Sequence, residues 1–222
     1  MDKYLKITIL CSFLLLLGNI GFAQEPPFYK DIQHFKQLDS QHFPEKNAIL
    51  FVGSSTFTKW KDVQAYFPEY PIINRGFGGS TLPDVIRYAN DIIYPYQPKQ
   101  VVIYCGDNDF AVSDTVTADV VAFRAKTLFG MIRSVLPNAA IDYVAIKYSP
   151  SREKLWSKIE QANKEIAAFF NTQNNAAYID ITPVMKQGDK LADESLFLSD
   201  MLHMKPEGYK RWQKVIQPYL LK

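Results

Sequence analysis

Two adjacent serines, Ser54 and Ser55, lie in "ILFVGSSTFTKW" (49–60), where an apolar run passes into a small, polar turn. Gly and Ser suit a strand-to-helix loop on conformational grounds alone. By itself the pair is therefore either an ordinary turn or a nucleophile held up at the end of a strand. A serine hydroxyl attacks a carbonyl only with help: a base to take its proton, a group to orient that base, and donors where negative charge develops. Three further stretches carry such groups. "NRGFGGST" (74–81) is rich in glycine, and "GDNDF" (106–110) supplies two carboxylates and an amide. "DMLHMKPEGY" (200–209) holds Asp200 and His203, the only histidine beyond residue 42. His34 and His42, in a polar lead-in over 24–46 that is expected to be helical, read as surface or packing residues.

Each stretch also has a plain reading. The glycines of 74–81 could serve only a tight turn or a close backbone approach. They do not form a dinucleotide fingerprint, because Thr81 stands where the third glycine belongs, and no P-loop lysine follows. "GDND" could be a turn with a helix cap, and His203 a structural histidine. The Gly-x-Ser-x-Gly elbow is absent, since Phe57 occupies its second glycine position. No Cys, His and Asp spacing resembles a zinc or EF-hand site.

The elements that must position these groups alternate along the chain. Strand-like apolar runs occur at 48–52, 71–74, 100–105, 141–146 and 177–181. The third, "VVIYC", is continuously apolar, as expected of a strand buried on both faces of a parallel sheet. Helical spacing follows the second strand in "LPDVIRYANDIIYP" and the fourth in "EKLWSKIEQANKEIAAFFNTQ". After the third comes "TADVVAFRAKTLFGMIRSVLP", with Val120, Phe123, Leu128 and Ile132 expected on its apolar stripe. An amphipathic "PEGYKRWQKVIQPYLL" closes the chain. This alternation predicts one α/β domain with helices on both faces of a parallel sheet. Ligands of such sheets gather beyond the carboxyl ends of the strands, which is where the first three stretches fall. There is no internal repeat, linker or low-complexity tract.

Taken together, the four stretches resemble one family. Gly53-x-Ser55, the Asn74-x-Gly76-x-Gly78-Gly79 loop, Gly106-x-Asn108-Asp109 and Asp200-x-x-His203-x-x-x-x-Gly208-Tyr209 follow the order of the SGNH hydrolases, or GDSL-type esterases. The likeness runs from about residue 48 to the C-terminus. It implies a flavodoxin-like three-layer α/β/α fold with about five parallel strands, and ester hydrolysis by a serine nucleophile with no metal or other cofactor. By that match Ser55 is the nucleophile, His203 its base and Asp200 the residue that orients His203. The backbone N–H groups of Ser55 and Gly79 and the side-chain amide of Asn108 would form the oxyanion hole. Asp109 reads as a carboxylate that orders its loop. Two positions depart from the pattern: Ser54 replaces the aspartate of Gly-Asp-Ser, and Asp107 replaces the second glycine of Gly-Gly-Asn-Asp. Trp60, Phe77, Phe110, Lys147 and Tyr148 fall near the strand ends and are candidates to line a substrate pocket, with core packing the alternative for the aromatics.

The expected activity is removal of a small acyl group, such as acetyl, from a carbohydrate or other ester through an acyl-enzyme. The same site could pass the acyl group to a sugar hydroxyl, or the fold could be a retired hydrolase that only binds. The N-terminal 27 residues, "MDKYLKITILCSFLLLLGNIGFAQEPP", combine an early lysine, an apolar run from Ile7 to Leu17 and Gly21-Phe22-Ala23. That is the layout of a signal peptide over 1–23, with an exported domain over 24–222 in the periplasm or outside the cell. The apolar run is shorter than the about 20 residues a spanning helix needs, so stable membrane insertion is not expected after cleavage. An uncleaved anchor is the alternative. A lipoprotein through Cys11 fits less well, because little of the apolar run precedes it. Cleavage would leave Cys105 as the single cysteine, so no internal disulfide is expected and the core alone must hold the fold. The formal charge of +2 is spread without basic runs, which argues against a nucleic-acid partner. A small-molecule or glycan ester is the expected partner, and oligomeric state is not legible.

Overall fold

A computed structural model describes residues 25–222. The expected signal peptide and its cleavage point before Gln24 lie outside the described residues. The chain runs α1 (Tyr29–Gln41), β1 (Ile49–Gly53), α2 (Ser55–Lys59), α3 (Val63–Tyr66), β2 (Ile72–Gly76), α4 (Leu82–Arg87) and α5 (Ala89–Ile92). It continues as β3 (Gln100–Tyr104), α6 (Asp107–Ala111), α7 (Ala118–Val135), β4 (Ala140–Val144), α8 (Trp156–Phe170), β5 (Ala176–Ile179) and α9 (Pro206–Ile216). The five strands form one sheet in the order β2-β1-β3-β4-β5, and every pairing is parallel. This is the flavodoxin-like order, and its switch point lies between β1 and β3.

Strands β1, β3 and β4 are buried at every residue, and apart from the paired Gln100 and Asp142 they carry no strongly polar side chain, as a sheet covered on both faces requires. Helices cover both faces of the sheet, as right-handed crossovers in this strand order demand. α7 packs on α8 and α4 on one side. On the other, α9 lays Tyr209 against Trp60 with ring centroids 4.8 Å apart and Trp212 against Tyr104 at 5.1 Å. Phe51, Phe57 and Phe67 complete this aromatic layer, which supports the loop carrying the paired serines.

Two expectations about helices need correction. Phe123 is 69% exposed, and the buried stripe of α7 is Val121, Ala122, Ala125, Leu128, Phe129 and Ile132, with Val120 at its edge. At 100° per residue, position 123 lies on the far side of the face set by 121, 125, 128 and 132. The helix expected over 82–95 is broken: Tyr88, at φ −99° and ψ 10°, separates α4 from α5, and a 3₁₀ turn follows at Tyr94–Tyr96. The Tyr88 hydroxyl there donates to the Pro27 carbonyl at 2.7 Å, tying the lead-in segment to this corner.

Candidate active site

The four motif stretches come together through hydrogen bonds between loops. The first and second meet where the Phe77 N–H donates to the Gly53 carbonyl (2.9 Å) and the Ser80 hydroxyl to the same oxygen (3.2 Å). The third joins the second where the Asn108 amide donates to the Ser80 carbonyl (3.1 Å) and the Leu82 N–H to Asp109 (2.9 Å). The fourth reaches the first through the Tyr209 hydroxyl, 2.9 Å from the Thr56 carbonyl. It also accepts, at the Met201 carbonyl, the Ser151 N–H of the segment after β4 (3.0 Å).

Each group is held by a local feature of the sequence. Gly53 has φ +142°, and a Cβ there would lie 1.9 Å from the Tyr104 carbonyl oxygen, so only glycine lets β1 end this close to β3. Ser54, wholly buried, follows in extended backbone, and Ser55 opens α2 in a partly exposed position. The Ser54 hydroxyl has no hydrogen-bond partner among the described residues. A Cβ on Gly78 would stand 3.9 Å from that of Ser55, which places the glycine loop beside the nucleophile candidate. Gly79 takes φ +86°, a left-handed conformation that glycine adopts without strain.

Asp200 and His203 form a tight local unit. One carboxylate oxygen accepts the backbone N–H groups of Leu202 and His203, both at 2.9 Å, and the other lies 2.7 Å from His203 Nδ1. The His203 backbone N–H, then its ring, hold the Asp200 carboxyl well below the usual carboxylate range. With Nδ1 committed as a donor to that anion, the imidazole's lone pair is on Nε2. Nε2 is buried and has no hydrogen-bond partner among the described residues. No hydrogen bond joins it to Ser55, and a hydroxyl brought to it could pass it a proton that it later returns to a leaving group.

Asn108 is nearly buried, and its amide spends one N–H on the Ser80 carbonyl, leaving a second donor. Asp109 is fully buried between the Leu82 N–H and the Arg124 guanidinium at 2.8 Å. Burial raises its pKa, and those two donors oppose the rise. Its position between the loops matches the ordering role expected of it.

The five candidate pocket residues divide. Trp60 and Phe77 are wholly buried, the first in the aromatic layer and the second against Phe28 and Tyr88, so both support the site from beneath and do not line it. Lys147 is likewise a correction: it is 1% exposed and turns inward. Tyr148 packs on Trp156 and edges a cleft with Asn163 and Tyr178. Phe110 is also buried, at 1% exposure, and only touches the wall of a cleft of about 490 Å³ whose rim carries Asp114, Arg152, Glu153 and Lys154. Missing from the sequence reading is Phe28, whose ring comes within 3.9 Å of where a Gly79 Cβ would be. Nothing in the proline-led segment signals that contact.

The sequence model of the GDSL-like lipase/acylhydrolase family matches residues 51–211, a span that contains all four motifs. The chain belongs to that family. It is accordingly a carboxylic ester hydrolase, and its family acts on ester substrates. The fold agrees with solved structures. A Streptococcus pneumoniae protein superposes with a TM-score of 0.75 at 19% identity, covering 99% of this chain and 100% of that one. A GDSL-like lipase from Bacteroides thetaiotaomicron gives 0.72 at 19% identity, over 85% and 96% of the two chains. An acetylxylan esterase from Geobacillus stearothermophilus gives 0.62 at 15% identity, over 78% and 94%. At these identities the likeness is one of fold. No curated protein matches the chain.

Proposed function

We propose that this family member is an exported serine esterase that removes a small acyl group, acetyl foremost, from a carbohydrate through an acyl-enzyme on Ser55. The observation that carries the reading is the Asp200–His203 unit, with Nδ1 on the carboxylate at 2.7 Å and Nε2 unpartnered among the described residues. His203 Nε2 takes the Ser55 proton as Oγ bonds to the ester carbon, and Asp200 stabilises the imidazolium that results. The N–H groups of Ser55 and Gly79 and the free N–H of Asn108 receive the developing oxyanion, each donor being worth about 3 kcal/mol in the transition state. Collapse breaks the ester C–O bond, and His203 returns its proton to the departing alcohol. Water then repeats the cycle: His203 takes its proton, hydroxide adds to the acyl carbon, and Ser55 leaves reprotonated.

Three features favour a small acyl group on a polar alcohol. The ring of Phe28 stands at van der Waals range from the Gly79 corner, where the acyl carbonyl would sit. The cleft beside Phe110 is of ligand-pocket size and has a charged rim, which suits a sugar better than an alkyl chain. An acetylxylan esterase shares the fold. A panel from p-nitrophenyl acetate to palmitate, together with acetylated glycans, should show kcat/KM falling steeply beyond about four acyl carbons and acetate release from at least one glycan. A preference for palmitate would overturn the small-acyl reading. Product analysis with added sugar acceptor separates hydrolysis from acyl transfer.

A further inference from the structure

Lys147 lies three residues beyond β4 and is buried to 1% exposure under the site. An ammonium has three N–H donors, and this one has three partners. Its Nζ is 3.1 Å from Thr56 Oγ1, 3.0 Å from the Tyr104 hydroxyl and 3.5 Å from Asp107 Oδ2. Each partner comes from a different part of the catalytic edge. Thr56 follows Ser55 in α2, Tyr104 ends β3, and Asp107 precedes Asn108 in α6. The opposite oxygen of Asp107 accepts the Asn108 backbone N–H at 3.1 Å. The Thr56 carbonyl meanwhile accepts the Tyr209 hydroxyl from the helix that follows His203. No other buried cation among the described residues touches two of the motif loops.

We propose that Lys147 is a positioning residue for ester cleavage, which clamps the Ser55 helix and the Asn108 loop in one register by bonding Thr56 and Asp107 together. The inference rests on the reading of Ser55 as nucleophile and Asn108 as oxyanion donor. It also gives one departure from the family pattern, Asp107, a physical basis. Asp107 lies within reach of Lys147, and a buried ammonium needs such a partner. Burial pulls the Lys147 pKa down, while Asp107 beside it opposes the fall.

The test must separate positioning from mere burial of charge. Lys147→Met alone would strand the Asp107 carboxylate, so the informative protein is the Lys147→Met/Asp107→Asn pair. Its buried charges are gone together, and the substituted amide at position 107 still offers an acceptor to the Asn108 N–H. On p-nitrophenyl acetate its kcat should fall by about 10²-fold with KM within about twofold, because small misplacements of reacting groups cost rate more than binding. Fluorophosphonate labelling of Ser55 should slow in parallel, while the melting temperature stays near that of wild type. Thr56→Val, which removes one acceptor and conserves shape, should lower kcat about tenfold, and it serves as the test should the pair not fold. Wild-type kcat and labelling rate in the folded pair, or in Thr56→Val, would overturn the clamp and leave the esterase reading intact. Failure of the wild-type protein itself to label or to cleave any ester would overturn the esterase reading and the clamp with it.

Discussion

At the scale of single residues, the proposed mechanism divides proton transfer from charge stabilisation. In that mechanism His203, fixed by Asp200 through Nδ1, moves the proton, and Asn108, fixed by Ser80, meets the oxyanion. The two should therefore fail differently. His203→Ala removes the base, and turnover should collapse by several powers of ten, as in comparable triads. Asn108→Ala leaves nucleophile and base in place, so kcat should fall by about 10²–10³ with KM much less affected, since a donor aimed at developing charge acts in the transition state. Steady-state kinetics on a short-chain ester, with circular dichroism to confirm folding, reads both. Near wild-type kcat in Asn108→Ala would remove Asn108 from the oxyanion hole. His203 and Asn108 were legible in the sequence because motif neighbours surround them. The inward placement of Lys147 was not: lysines are rarely buried without a partner, and its partner, Asp107, lies 40 positions away.

At the scale of elements, the sheet carries a titratable defect far from the chemistry. Asp142 in β4 is buried, with one oxygen 2.5 Å from the Gln100 amide of β3. Burial pushes its carboxyl up to about 6 from 3.8, against the opposing hydrogen bonds from Gln100 and the Ala177 backbone. The folded chain thus keeps a proton that the unfolded chain releases. The stability this proton confers is fully present below about pH 4 and is lost as pH rises through about 6. Asp142→Asn retains an acceptor for Gln100 and cannot ionise. Relative to wild type it should be more stable above about pH 7, by roughly 3 kcal/mol, and equally stable near about pH 3.5. Urea denaturation at several pH values measures this, and a difference independent of pH would contradict it. Elsewhere the strands were readable to within about two residues, because apolar runs of this kind have few other uses. The phase of α7 was not, since "ADVVAF" offers apolar residues on several faces and only packing against α8 and α4 selects among them.

At the scale of the molecule, one α/β layer structure gathers four loops at one edge, and the order of their motifs along the chain is what made the family visible. The meeting of those loops is a property of the strand order β2-β1-β3-β4-β5, which sets β1 and β3 side by side. The lead-in helix contributes as well. Asp39 of α1 pairs with Arg75 and Tyr96, and Phe28 reaches the Gly79 corner. These contacts were invisible in a polar segment without motif or strong periodicity. They also bear on export, because Phe28 lies just past the expected cleavage point. N-terminal sequencing of protein from the native host should begin near Gln24, leaving Phe28 in place, and retention of Met1 would contradict removal of a signal peptide.

Labelling of the whole protein with a fluorophosphonate, followed by fragment-ion mapping of the tryptic peptide spanning 47–59, tests the assignment of the nucleophile most directly. That peptide contains both Ser54 and Ser55. Ser55 is partly exposed at the start of α2, and Ser54 is wholly buried. The adduct should sit on Ser55, persist in Ser54→Ala and vanish in Ser55→Ala. An adduct on Ser54, or labelling that survives Ser55→Ala, would contradict a Ser55–His203–Asp200 esterase.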